Sequence, residues 1–286
     1  MTTQRPQDLI FTLFGEYFLH RRVHIWVGSL IALLEPFGLS DGAVRTSLSR
    51  MVRRGWLESR REGRHSYYDL TSRGRRLLEE GERRILHPTW SDTWDGRWLL
   101  LAYSIPEVRR SVRDRFRDRL NWLGFGSLGN GLWLSPHPVE DEIASFASKA
   151  GIEEYLIVFR ARRLGRMNTA DLVARCWDVP GINEQYRAFI DRWEPLLTRC
   201  RNGVTAAGIA PEECYLIRFR LMHEYRGFAL IDPYLPRPLL PEDWWGDRAT
   251  DVFQRVHDLV EGYADQHVDA VLSAAPQTPT PMEEAG

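Results

Sequence analysis

At 286 residues, 43% hydrophobic and 27% charged, the chain is too long for one small domain and apolar enough to bury cores in two or three. No apolar run reaches the ~20 residues that a bilayer requires, and MTTQRPQDLI lacks the basic-then-apolar order of a signal peptide, so a cytoplasmic protein without a membrane segment is expected. The net charge of −1 is unevenly spread: residues 1–87 carry 15 arginines against 10 acidic residues, residues 201–286 carry 7 against 14, and a polyanionic partner is expected at the N-terminal part.

DLIFTLFGEYFL at 8–19 reads as an amphipathic helix with Leu9, Leu13 and Tyr17 on one face. A second helix at 25–35 is ended by Pro36 and Gly38. Ser40 stands where an N-cap belongs, ahead of a third helix over 41–55. There Val44, Leu48, Met51 and Val52 form one apolar stripe. Thr46, Ser49, Arg50 and Arg53 occupy the opposite face, with Arg45 on its flank. Two short strands at 56–61 and 64–70 bracket a turn at Glu62-Gly63, placing Leu57, Tyr68 and Leu70 inward and Arg60, Arg61, Arg64 and His65 near the tip. A polar helix follows at 71–85, and His87-Pro88 reads as a boundary.

RWLLLAYSIP at 97–106 is a buried strand. The helix after it carries Val108, Val112, Phe116, Leu120 and Leu123 at helical spacing. The Gly-rich stretch 124–135 holds one or two strands; it lacks nucleotide-loop spacing, so hairpin turns explain it. A helix at 139–150 and a strand at 154–162 complete a β-α-β-β-α-β order, the ferredoxin-like arrangement. From about 170 the pattern is mostly helical, at 183–197, 211–231 and 248–272, with a Pro-rich break at 232–246. Residues 274–286 read as a disordered tail. The fold class is therefore α+β, with an N-terminal winged helix-turn-helix over 1–87, a ferredoxin-like α/β middle domain over 88–168 and a helical C-terminal domain over 169–273.

Three helices and a hairpin, with arginine on the third helix and at the hairpin tip, match what DNA requires. A helix fits the major groove, and Thr46, Ser49, Arg50 and Arg53 can address base edges with Arg45 beside them. Arg60, Arg61 and Arg64 can grip phosphates. The alternative is a solvated face, and the same holds for the run from Arg109 to Arg119, where Asp114 and Asp118 are interleaved. Cys176, Cys200 and Cys214 show no CxxC spacing and read as reduced structural thiols; no metal site and no cofactor are expected.

AVRTSLSRMVRRGWLESRREGRHSYYDLTSRGRRLL at 43–78 resembles the PaaX family of bacterial transcriptional repressors of phenylacetate and related aromatic catabolism. The resemblance continues through 97–137 and returns at HEYRGFALIDPYLPRPLLPEDWWG, 223–246. It implies a homodimer that binds double-stranded DNA at an imperfect palindromic operator and is released by an aryl-acyl-coenzyme A thioester such as phenylacetyl-coenzyme A. The middle domain also resembles the small CRISPR-associated endonuclease of spacer acquisition. Those proteins carry an aspartate after the first strand, whereas this chain reads Tyr103-Ser104-Ile105-Pro106, and a serine cannot supply the charge a divalent ion needs. A repressor without catalysis is the reading adopted; a regulator without an effector and a metal-dependent nuclease are the alternatives.

A coenzyme A thioester calls for arginine beside aromatic surface. Arg218, His223 and Arg226, with Tyr186, Arg187 and Trp193 on the preceding helix, are the candidates for an effector site. The alternative is that they anchor the domain through buried ion pairs with neighbours such as Glu224 or Asp232.

Overall fold

The computed structural model describes residues 5–21, 23–86, 91 and 93–275. The His87-Pro88 boundary, and the tail beyond Ala275, lie outside them. The described parts group into two compact units. One gathers Met1–Leu86, Trp193–Tyr225 and Asp251–Gly286; the other gathers His87–Arg192 and Arg226–Thr250.

Pro6 and Asp8 start helix α1 (Pro6–Leu13), proline because the first turn needs no N–H and aspartate because its charge suits the helix N-terminus. The chain runs on into a widened π-helical turn, Phe14–Phe18. A short strand β1 (Ile25–Trp26) precedes α2 (Val27–Leu34), so the second helix starts two residues later than its apolar run suggests. Gly38, at φ +81°, turns the chain toward α3 (Asp41–Arg53). Ser40 caps α3 as its sequence predicts, its hydroxyl accepting from the Ala43 N–H at 3.3 Å. Strands β2 (Leu57–Glu62) and β3 (His65–Leu70) pair antiparallel, with β1 on the far side of β3. Gly63-Arg64 forms the two-residue turn, and Gly63 at φ +58° supplies the positive dihedral that the first central position of a tight hairpin turn needs.

Helix α4 (Ser72–Leu86) is locked onto this hairpin at its first turn. The Thr71 hydroxyl donates to the Gly55 carbonyl at 2.7 Å and accepts from the Gly74 N–H at 3.0 Å, tying the end of α3 to the start of α4. A Cβ on Gly74 would stand 2.0 Å from the Trp56 carbonyl oxygen, so only glycine permits this approach. Thr71→Ala removes both the cap and the tie. It is expected to cost about 1–2 kcal/mol, read as a lower urea midpoint at an unchanged m-value; an unchanged midpoint would show that the joint is held by packing alone.

The middle of the chain forms β4 (Arg97–Tyr103), α5 (Arg110–Trp122), β5 (Gly126–Gly129), β6 (Leu132–Ser135), α6 (Glu140–Ala150) and β7 (Leu156–Arg162). The four strands lie in the order β5-β6-β4-β7, every pair antiparallel, which is the β-α-β-β-α-β unit read from the sequence. Leu99, Leu101 and Trp133 from the sheet meet Phe116 and Leu120 of α5 and Ile143 and Ala147 of α6 in one core. Gly129, Asn130 and Gly131 all have positive φ, so the Gly-rich stretch is a hairpin connection. Val108 departs from the expected apolar face. Pro106 is followed by a 3-10 turn, α5 begins only at Arg110, and Val108 is left 92% exposed. Strand β7 is a free edge and exposes Ile157, Val158 and Phe159.

The C-terminal stretch forms α7 (Thr169–Cys176), α8 (Val179–Arg199), α9 (Pro211–Tyr225), α10 (Phe228–Ile231) and α11 (Gly246–Ser273). The single helix expected over 211–231 breaks at Arg226-Gly227. The C-terminal stretch contributes to both units: 193–225 and 251–273 group with the N-terminal part, and 169–192 and 226–250 with the middle one. The reason is burial. Tyr215 and Phe219 of α9 and Val260, Ala264 and Val268 of α11 are enclosed in the same core as Leu9, Phe14, Leu30 and Leu48. The three cysteines are free, and burial pushes the Cys176 and Cys214 thiols up to about 11 and raises Cys200, which disfavours the reactive thiolate.

Candidate nucleic-acid interface

Helix α3 buries Val44, Ser47, Leu48 and Met51; Val52, expected in that stripe, is only half-buried. Thr46, Ser49, Arg50 and Arg53, at i, i+3, i+4 and i+7, are exposed on the other side. The side chains of Arg50 and Arg53 make no hydrogen bond or ion pair among the described residues. Arg45 is also exposed but pairs with Asp41 one turn earlier, which holds it at the flank. Helix α1 lies directly behind α3 and fixes which face points outward.

On the hairpin, Leu57 pairs with Leu70, and these two are the buried end. Arg60, Arg61 and Arg64 fall at the exposed end, near the Gly63-Arg64 turn. Arg60 pairs with Glu62 at 3.0 Å, and Arg61 Nε donates to the Gly63 carbonyl at 3.2 Å. Arg64 makes no such contact among the described residues. Surface ion pairs of this kind are weak enough to exchange a carboxylate for a phosphate.

The candidate effector residues do not share one unit. In the middle unit the Tyr186 hydroxyl donates to buried Asp232 at 2.7 Å, Arg187 lies over the Trp245 ring, and Arg226 is half-buried at the break between α9 and α10. In the N-terminal unit Trp193 Nε1 donates to Glu224 at 3.1 Å, and His223 Nδ1 lies 2.8 Å from the Thr12 hydroxyl. Arg218 is 6% exposed and fully engaged: Nε meets Glu16 at 2.5 Å, Nη1 meets Asp265 at 3.0 Å and Nη2 meets Glu261 at 3.3 Å, with the guanidinium over the Tyr17 ring. An anionic ligand at Arg218 would have to displace either the buried Glu16 or the half-exposed Asp265 and Glu261 carboxylates. Glu16 was not singled out from the sequence, where it is one acid on an apolar helix. The spacing Glu261, Asp265, Asp269 was the available signal: one acid per turn on α11, facing Arg218 and also Arg21, which pairs with Asp265 at 3.4 Å and Asp269 at 2.6 Å.

On α5 the acids interleave as the sequence suggests: Arg113 pairs with Glu107 at 2.6 Å and Arg110 with Asp114 at 3.8 Å. Ser104 is exposed just beyond β4. Among the described residues, no group of three His, Cys, Asp or Glu side chains could hold a metal ion, and no single helix is long and apolar enough to cross a membrane.

Known proteins resemble the chain along nearly its whole length. Residues 5–74 match the family described as PaaX-like protein, residues 91–173 the PaaX protein central Cas2-like domain, and residues 177–270 the PaaX-like protein C-terminal domain. The Transcriptional repressor PaaX of Escherichia coli (strain K12) is 36% identical over 276 residues, spanning 94% of this chain and 86% of its own. An uncharacterised protein of Mycobacterium tuberculosis shares the fold at TM-score 0.54 and 22% identity, over 94% of this chain and 98% of the other. The chain thus falls in the class of non-enzymatic regulators built around a Cas2-like middle domain. It belongs to the PaaX family.

Proposed function

We propose that this protein is a sequence-specific transcriptional repressor whose residues 1–87 act as a winged helix-turn-helix. Helix α3 enters the major groove, and the β2–β3 hairpin grips the backbone. The observation that carries this reading is the division of α3 into a buried stripe and an exposed face on which the Arg50 and Arg53 side chains have no hydrogen-bond or ion-pair partner among the described residues. Two copies would read two half-sites about one helical turn apart, roughly 34–36 Å. The exposed apolar edge of β7 is the surface we assign to that pairing, because a strand carrying Ile157 and Phe159, with no strand on its outer edge among the described residues, is a template for a second copy of itself. The repressed genes would serve aromatic-acid breakdown, and an aryl-acyl-coenzyme A thioester would release the DNA. The engagement of Arg218, Tyr186 and Trp193 by protein partners favours a second reading, a repressor with no small-molecule effector.

One titration tests these points: fluorescence anisotropy on DNA from the protein's own promoter and on random DNA, with and without phenylacetyl-coenzyme A. The expected result is preference for promoter DNA, a two-to-one stoichiometry by sedimentation, and release by the thioester. Equal affinity for the two DNAs would overturn the repressor reading. Preference without release would support the effector-free one.

A further inference from the structure

The Arg218 cluster joins three elements of the N-terminal unit. Glu16 comes from the π-helical turn that ends α1, Arg218 from α9, and His257, Glu261 and Asp265 from α11. Arg218 Nε and His257 Nε2 both converge on Oε1 of Glu16, at 2.5 and 2.7 Å, so the innermost carboxylate is held from two helices at once. Charge also reaches the cluster from the segment after α1, where Arg21 shares Asp265 with Arg218, and from Asp258 and Asp269 on α11.

Exposure divides this cluster into two halves. The side chains of Glu16 and Arg218 are 3% and 6% exposed. Those of Arg21, Asp265 and Glu261 are 32%, 35% and 52% exposed, so the outer half is in contact with water. Buried charge networks rarely outperform apolar packing as stabilisers, and in some proteins they specify one geometry instead. A π-helical turn is also uncommon and tends to mark a functional position, and here it carries Glu16. The helix it ends is the one that lies against both α3 and α9.

We propose that this cluster is a clasp that sets the position of α1, and through it of α3, so that opening it frees the DNA-reading helix from its backing while the rest of the unit stays folded. Arg218 and Glu16 act on DNA only through α3 and are positioning residues. The inference rests on the DNA-binding reading above for its consequence, but its mechanical part can be read without DNA.

The test uses full-length Asp265→Asn, which removes the charge that the two arginines share, and Glu261→Gln, a half-exposed change that should leave folding intact. Amide hydrogen exchange and promoter binding are measured on both. For Asp265→Asn, exchange over 6–13 and 41–53 is expected to rise about tenfold and promoter affinity to fall about tenfold, a typical coupling between sites. Glu261→Gln is expected to move both in the same direction and by less. Exchange at β4 to β7 and affinity for random DNA should not change. Wild-type exchange over α1 in both variants would overturn the clasp, as would a uniform rise across the whole N-terminal unit, which marks a merely structural role. If the wild type shows no preference for promoter DNA, the DNA-binding reading fails, and the exchange measurement alone still decides whether the clasp exists.

Discussion

Arg218→Met is expected to destabilise the N-terminal unit by about 3–5 kcal/mol, because it leaves Glu16 as a buried acid without its arginine. Thermal melting monitored through that unit would show it, and a loss below about 1 kcal/mol would mean that the acid finds another partner, as exposed pairs can. The same cluster predicts the acid limit of the fold. Burial alone would raise the Glu16 carboxyl, but the hydrogen bond and charge of His257 and the charge and hydrogen bond of Arg218 outweigh it and hold it below its ordinary 4.5. A carboxyl with a depressed folded-state value binds its proton more readily when unfolded. Its contribution is therefore fully present above about pH 4.5 and is lost as the pH falls through the lower folded value. Glu16→Gln should flatten the stability profile in that acid window.

Arg50→Ala is expected to weaken operator binding by about 1–3 kcal/mol and to relax the base preference at one position, since an exposed helix-borne guanidinium can bond guanine bidentately. Arg61→Ala, at the hairpin tip, should instead weaken promoter and random DNA alike and lower the salt slope by about one ion. If Arg50→Ala costs both DNAs equally, Arg50 is a phosphate contact and α3 does not lie in the groove as proposed. The paired design separates the two roles because charge alone cannot produce a sequence-dependent loss.

Several elements were legible because their signals are local. Ser40 three residues ahead of Ala43, glycine at positions 38 and 63, and the four-residue spacing of Val44 and Leu48 each fix a cap, a turn or a face within a few bonds. Val108 failed for an equally local reason, since a 3-10 turn after Pro106 shifts the helix start and spoils the phase. The exposed arginines of α3 and the hairpin were found from composition and phase alone. Their freedom or engagement was not: Arg45, Arg60 and Arg61 have partners, whereas Arg50, Arg53 and Arg64 do not among the described residues.

The sequence by itself determined the order of the elements, the exposed face of α3, the β-α-β-β-α-β middle and the resemblance to a repressor family, because each is written in neighbouring residues. Only the tertiary structure decided which parts of the C-terminal stretch group with the N-terminal unit and which with the middle one. It also decided that Arg218, read as a possible ligand contact, is enclosed by Glu16, Glu261 and Asp265. Glu16 and Arg218 stand 202 positions apart along the chain, and no periodicity links residues at that distance. What joins them is the apolar burial that draws α1, α9 and α11 around one core, and a guanidinium carried into that core must find carboxylates there or remain uncompensated.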